Sequence, residues 1–406
     1  MVKKFLKDIF IILIILFLLL VLLEIFSLYK IKQKENNATL KEEYLPLLKY
    51  SDISKDELED HISNIKKLGI DNNNIREYHP NTIYLYKPNL KSETFYTNSL
   101  GLLDDEPNYS KNQIMLLGSS VAGGGLRQNF KENIDGFLEN IISKKISKKK
   151  YEVLNAGIGG FASNQEFFLM HSLLDKIKFD QVIYFSGAND IDSRYRVRNF
   201  DDLRSYDIIH SRVIKSRIED NLLLTKNPFI SMYTYARNYF LRSLYSYKYF
   251  GDLIHEKKVN KLQKIKKVDL TKEDHKTIDE IVENYISNVE KMIIITKEQN
   301  TDLYVGLQPI LPHKKIKTIN EKKNLNIILN KFGYKYQLYF DKAYPKMKKK
   351  LLELEKKYPG DIVVLNTENI FDEINIDIFR DNSHFLDYAN KIVSNEIFLN
   401  LKFNEQ

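Results

Sequence analysis

Four short segments of this 406-residue chain hold the residue types that nucleophilic catalysis needs. They are GSSVAGGG at 118–125, NAGIGGFAS at 155–163, GAND at 187–190 and DNSH at 381–384. A serine at a sharp bend exposes its hydroxyl, and an aspartate and a histidine three residues apart can supply an oriented base. Glycine N–H groups and an asparagine amide are suitable donors to an oxyanion. Together the four segments predict acyl transfer by a serine nucleophile.

Three other interpretations of the glycine-rich segments compete with this one. Gly118 and Gly123 have the spacing of a phosphate-binding loop, but Gly124 stands where that motif needs its lysine. Residues 157–162 match a dinucleotide-binding fingerprint, yet they fall in the second strand–helix unit rather than the first. In a plain strand-to-helix turn, Ser120 would only cap the following helix. None of the three accounts for all four segments.

The elements that must position these segments follow an alternating pattern. Short apolar runs rich in β-branched and aromatic residues predict five buried strands, at 113–117, 151–156, 181–186, 302–308 and 361–366. Amphipathic patterns predict helices at 126–144, 163–178, 273–299, 335–357 and 386–401. This alternation predicts an α/β fold with a parallel sheet covered on both faces. Because functional loops follow the carboxyl ends of parallel strands, the four segments are expected to meet at that edge.

In this setting the chain resembles the SGNH hydrolases, also called GDSL-type esterases, which carry a serine, a glycine, an asparagine and a histidine in this order. The resemblance covers roughly residues 78–401. It implies that Ser120 is the nucleophile, His384 the base and Asp381 the acid that orients the base. It also implies the oxyanion donors: the backbone N–H groups of Ser120 and Gly160 and the side-chain amide of Asn189.

The same resemblance implies a three-layer α/β/α sandwich of flavodoxin-like topology around a five-stranded parallel sheet, with no metal and no cofactor. The chain departs from the family at Ser119 and Val121, where aspartate and leucine are usual. A Gly-Ser-Ser variant is familiar in a membrane-anchored bacterial branch, which tends to carry a Tyr-His-Pro segment and an Asn-Ser-x-Gly turn upstream. Residues 78–80 and 98–101 match these two segments. The departure therefore weakens the likeness to lipases more than it weakens the catalytic interpretation.

An apolar stretch near the N-terminus predicts a membrane anchor. Residues 9–23 are fifteen apolar residues without a break, and the stretch reaches Tyr29 if Glu24 is included as an interfacial residue. At about 1.5 Å per residue, the longer segment spans roughly the 30 Å of a hydrocarbon core. No small-residue cleavage signal follows, which predicts a retained single-pass helix. Lysines flank both ends, so the very short preceding tail is what favours a catalytic domain outside the cytoplasm, in the periplasm or at the cell surface.

These patterns divide the chain into an anchor at 1–32, a stalk and turn-rich lead-in at 33–110, and a hydrolase domain at 111–406. Within that domain a tyrosine- and arginine-rich insert, 194–272, is predicted either to cap the site with helices or to form an outward-facing insertion or an oligomer contact. The chain has no cysteine, which excludes disulfides and thiolate metal sites. Its net charge is +8, but basic and acidic residues are mixed along the chain. The densest basic run, 144–150, has no interleaved aromatic residues that could stack on bases, which argues against nucleic-acid binding.

The function predicted from the sequence is a membrane-anchored serine ester hydrolase that removes acyl groups. The membrane-anchored branch implies O-acetyl groups of surface glycans as the substrate class. An O-acyltransferase would use the same three residues and differ only in the acceptor. A third alternative is an inactive family member that binds glycan within an export assembly. The expected partners are the acyl-ester substrate and the membrane, while the sequence identifies no protein partner.

Overall fold

The computed structural model describes residues 2–36, 75–91, 96–124, 133–146, 150–196, 244–246, 249–250 and 268–403. The chain forms two compact units. One comprises Met1–Lys41 with Ile214–Lys264, and the other comprises Glu42–Val213 with Ile265–Gln406. The second unit carries all four of the segments predicted to do chemistry.

A five-stranded, all-parallel sheet forms the centre of the second unit. Its strands are β3 (Asn112–Gly118), β4 (Tyr151–Gly157), β5 (Gln181–Ser186), β6 (Asp302–Leu307) and β7 (Ile362–Val364). Their order is β4-β3-β5-β6-β7, which is the flavodoxin-like order and confirms the predicted sheet. Every residue of β5 is buried, as expected for a strand covered on both faces. Because β4 and β5 lie on opposite sides of β3, a crevice is expected beyond the carboxyl end of β3.

Seven helices flank the sheet in the part of this unit that is described: α2 (Ile134–Lys145), α3 (Ser163–Leu174), α4 (Ala188–Arg196), α5 (Lys272–Glu298), α6 (Ile319–Phe332), α7 (Tyr334–Lys357) and α8 (Asp387–Asn400). Helix α2 packs against α8, while α5 packs against α3, α4 and α7. These two groups are the outer layers of the predicted α/β/α sandwich. The sequence patterns missed α4, which begins inside the GAND segment, and α6, of which only three residues are buried.

The lead-in contains an antiparallel hairpin, β1 (Arg76–His79) and β2 (Ile83–Tyr86), where the sequence predicted only short turns. Asn98 organises the following turn, since its side-chain oxygen accepts the N–H groups of Leu100 and Leu102 at 3.0 Å each. The turn packs closely against β2, since a Cβ at Gly101 would lie 2.4 Å from the carbonyl oxygen of Tyr86. The hairpin is therefore fixed against the segment that leads into the sheet.

The first unit contains α1 (Val2–Asn36), whose apolar side chains are exposed along most of its length. Residues 7–33 are long and apolar enough to cross a membrane, as an anchor or as a signal sequence. Glu24, predicted to be interfacial, accepts the backbone N–H groups of Tyr245 and Ser246 at 2.7 and 3.0 Å, and Phe26 packs edge-on against Tyr249. The described insert residues of this unit thus contact α1. The predicted cap itself falls mainly on 197–243 and 251–267, outside the described residues.

Candidate active site

The turn that follows β3 presents Ser120. Ser119 is buried, whereas Ser120 is partly exposed, and the carbonyl of Ser119 accepts the N–H of Gly123 at 2.9 Å to close the turn. The backbone after the turn touches the end of β4, since a Cβ at Gly157 would lie 2.1 Å from the nitrogen of Gly123. Only glycines allow two backbones to approach this closely. The small residues of GSSVAGGG and NAGIGG thereby hold the first two segments side by side.

A hydrogen-bonded chain connects the serine to the last segment. The Oγ of Ser120 lies 2.7 Å from Nε2 of His384, and Nδ1 of His384 lies 2.7 Å from Oδ2 of Asp381. A carboxylate can only accept, so Nδ1 carries the proton and Nε2 of a neutral imidazole is left to accept from the serine hydroxyl. The structure thus brings together the three residues predicted as nucleophile, base and orienting acid.

Asp381 is held in its charged form by its neighbours. Burial by itself would raise its pKa, but the positive charge that His384 carries when protonated, its side-chain and backbone hydrogen bonds and the charge of Arg380 hold that pKa well below its usual range. The other carboxylate oxygen, Oδ1, accepts the backbone N–H groups of Ser383 and His384 at 3.0 and 2.9 Å. The carboxylate therefore fixes both the loop and the imidazole.

The loop after β4 lies directly beside the serine. A Cβ at Gly159 would lie 3.8 Å from the Cβ of Ser120. Gly159 is held from both sides by tyrosines of β2: its N–H donates to the Tyr86 hydroxyl at 3.1 Å, and its carbonyl accepts from the Tyr84 hydroxyl at 2.8 Å. The next residue, Gly160, has a φ of +89°, a conformation that favours glycine. Sequence reasoning missed both tyrosines, although their alternation in IYLY was a visible signal that they share a face.

Asn189 and Asp190 tie the third segment to the second. The amide nitrogen of Asn189 donates to the carbonyl of Phe161 at 2.8 Å. Asp190 is buried and accepts the hydroxyl of Ser163 at 2.5 Å and the backbone N–H of the same residue at 3.2 Å. Burial raises the pKa of Asp190 to about 6, although the bonds from Ser163 act in the opposite direction. These bonds lock the two loops expected to supply the oxyanion donors.

Three N–H groups on the segments predicted to supply the oxyanion donors each keep a hydrogen that no described protein group accepts. Within the described residues, the backbone N–H groups of Ser120 and Gly160 make no hydrogen bond to a protein acceptor. The amide of Asn189 has two hydrogens, and its single bond to Phe161 uses one of them. Donors left unpaired by the protein beside a serine are the features expected of an oxyanion hole.

A buried ion pair supports the loop that carries Asp381 and His384. Nζ of Lys314 lies 2.9 and 2.7 Å from the two carboxylate oxygens of Glu321, and the side chains are 1% and 0% exposed. Glu321 also accepts the backbone N–H groups of Ile378 and Phe379, at 2.9 and 3.3 Å. Thr318 and Glu321 form a capping box at the start of α6, which is the only sequence signal for this support.

An open pocket begins at the serine. Its lining consists of Ser120, Val121, Gly124, Arg380, His384, Phe385 and Asn390. Across the described ranges, no group of three or more histidine, aspartate or glutamate side chains could hold a metal ion.

Comparison with known proteins gives only remote likenesses. No family model and no curated protein matches the chain. A catalytic mutant of Axe2, an acetylxylan esterase from Geobacillus stearothermophilus, is similar over 73% of this chain and 96% of its own, with a TM-score of 0.39 and 9% identity. An alpha/beta hydrolase enzyme from the metagenome of Lake Arreo, Spain, is similar over 72% and 95%, with a TM-score of 0.36 and 10% identity. TM-scores this low carry no inference about activity.

Proposed function

We propose that the protein is a serine ester hydrolase of the SGNH type that removes acyl groups, with O-acetyl groups on surface glycans as its substrate class. The observation that carries the proposal is the continuous chain from Ser120 through His384 to Asp381, at the carboxyl edge of the sheet. The substrate class rests on the motif resemblance. Each step of acyl-enzyme chemistry has a residue available for it.

In the first step, His384 accepts the hydroxyl proton of Ser120 at Nε2, and Oγ attacks the ester carbon. The negative charge on the carbonyl oxygen is stabilised by the N–H groups of Ser120 and Gly160 and the amide of Asn189. The imidazolium is stabilised by the charged carboxylate of Asp381 and returns the proton to the departing alcohol. A water molecule activated by the same imidazole then releases the acid and frees the serine.

The test is release of p-nitrophenol from p-nitrophenyl acetate by the full-length chain in detergent, compared with the Ser120→Ala variant. A burst of product followed by a slower steady state would indicate the acyl-enzyme. Adding acceptor oligosaccharides and analysing the products by mass spectrometry separates hydrolysis from transfer. Absence of any Ser120-dependent turnover on short acyl esters would refute the proposal.

Replacing Asn189 by alanine is expected to lower kcat by about 10²–10³-fold, the usual cost of one oxyanion donor. KM should change little, because the lost bond forms chiefly in the transition state. Steady-state kinetics on p-nitrophenyl acetate measure both constants. Asn189→Asp is the matched variant, since it keeps the size of the side chain but places an acceptor opposite the oxyanion. Activity of either variant close to that of the wild type would show that Asn189 is not an oxyanion donor.

The catalytic unit is expected to lie outside the cytoplasm. The proposed substrate class requires this orientation, because surface glycans lie outside the cytoplasm. Proteinase K added to intact spheroplasts should degrade the unit, as followed by an antibody to the C-terminus. A cytoplasmic marker protein must survive the same treatment. Protection of the unit until the spheroplasts are lysed would reverse the orientation.

A further inference from the structure

We propose that Arg380 forms an anion-binding subsite in the pocket of Ser120, so that the preferred ester substrates carry a carboxylate or phosphate group near the acyl group. This inference rests on the proposed function and specifies its substrate class. Arg380 is half-buried and lines the same pocket as Ser120 and His384.

The placement of Arg380 is fixed by the backbone of the acid–base loop. Its N–H donates to the carbonyl of His384 at 3.0 Å, and the neighbouring residues Phe379 and Phe385 form an antiparallel bridge. Arg380 therefore begins the short loop that ends at His384. Any displacement of this residue would displace the base, so its position beside the nucleophile is built into the loop.

The guanidinium of Arg380 has no salt bridge or hydrogen bond to another described residue. It acts through space on the carboxylate of Asp381, whose oxygens already accept bonds from Ser383 and His384. A half-buried cation without a bonded partner is costly, and an anionic ligand would offset that cost. The pocket thus contains a positive charge that no described residue pairs.

Arginine in this position suits a planar or tetrahedral oxyanion. Its guanidinium offers five N–H donors in a fixed fork, which match two oxygens of a carboxylate or phosphate. Among the described residues, the rest of the pocket lining includes the apolar Val121 and Phe385 and the polar Asn390, and no acidic side chain. An acylated sugar bearing a carboxylate, such as a uronic acid, or a phosphate would place its anion on Arg380 and its ester on Ser120.

The experiment measures binding and does not depend on turnover. The full-length Ser120→Ala chain in detergent is titrated calorimetrically with O-acetylated methyl galacturonoside and with its methyl ester, in which the carboxylate is masked. O-acetylated methyl glucoside 6-phosphate, compared with O-acetylated methyl glucoside, forms the phosphate arm. We expect Kd to be about tenfold or more lower for the anionic member of at least one pair.

The preference should disappear when Arg380→Met is added and persist in part with Arg380→Lys. Lys297→Met is the charge-matched control, because it removes one cation at the end of α5, where Lys297 pairs with Asp361. That variant should keep the wild-type preference. A preference confined to the uronate or to the phosphate pair identifies the source of the anion. Equal affinities within both pairs, or a preference that survives Arg380→Met, would overturn the subsite.

The outcome is separable from that of the proposed function. Ser120-dependent turnover of p-nitrophenyl acetate without any anion preference would leave the hydrolase in place and remove only the subsite. Anion-selective binding without turnover would support the subsite and refute the hydrolase. A role of Arg380 confined to the charge of Asp381 would alter the pH profile of turnover while the ratio of the two affinities stayed the same.

Discussion

Replacing Ser120 by alanine is expected to lower the turnover of p-nitrophenyl acetate by several orders of magnitude, on the order of 10⁶-fold in kcat. The variant loses the hydroxyl that would attack the ester, which lies 2.7 Å from the imidazole that would accept its proton. His384→Ala should cost a similar factor, because the hydroxyl without its base is a weak nucleophile. Since the two residues act as a unit, the double variant should be little worse than either single variant.

Ser119→Ala is the matched control for this experiment. Ser119 is the preceding residue, its hydroxyl is buried, and that hydroxyl has no hydrogen-bond partner in the described structure. Its removal should leave the activity within a few-fold of the wild type, which would show that the loss in Ser120→Ala is specific to one hydroxyl. Circular dichroism of each variant checks that the fold is retained. Full activity in Ser120→Ala would refute the serine mechanism.

The sheet was predictable from the sequence because its strands are buried on both faces. Such strands appear as short continuous apolar runs, and the predicted limits of β3, β4, β5 and β6 agree with the observed ones within one residue at each end. Helix α4 was missed because it begins at Ala188, within a polar loop, and offers no apolar periodicity. Helix α6 was missed in spite of its capping box, because only three of its residues are buried and a helix with so small a buried face gives a weak apolar pattern.

The residues of the candidate site were predictable for a different reason. Serine, asparagine, aspartate and histidine stand directly after strands or before the last helix, where a parallel sheet collects its functional loops. The residues that hold the loops of the site in place were not predictable. Tyr84 and Tyr86 bond to Gly159 from more than seventy positions away, and Glu321 bonds to Ile378 from 57 positions away. Contacts between such distant residues are set by the folded topology and leave little trace in local patterns.

The ion pair beneath the acid–base loop gives the second large expected effect. Glu321→Ala should lower the free energy of unfolding by about 3–5 kcal/mol, because it leaves the buried ammonium of Lys314 without its counter-charge. The backbone N–H groups of Ile378 and Phe379 lose their acceptor in the same variant. The midpoint of thermal unfolding, followed by circular dichroism of the full-length chain in detergent, should fall by roughly 5–10 °C.

A comparison of variants shows whether the unpaired buried charge causes the expected loss of stability in Glu321→Ala. Glu283→Ala removes one partner of an exposed pair, since Glu283 is 65% exposed and lies 2.9 Å from Lys350. It should change the free energy of unfolding by less than about 1 kcal/mol. Lys314→Met combined with Glu321→Gln leaves no charge buried and keeps an acceptor for the backbone, so it should recover part of the stability. If Glu321→Ala unfolds at the wild-type temperature, the pair does not support the loop, and Asp381 and His384 must be held by their own hydrogen bonds.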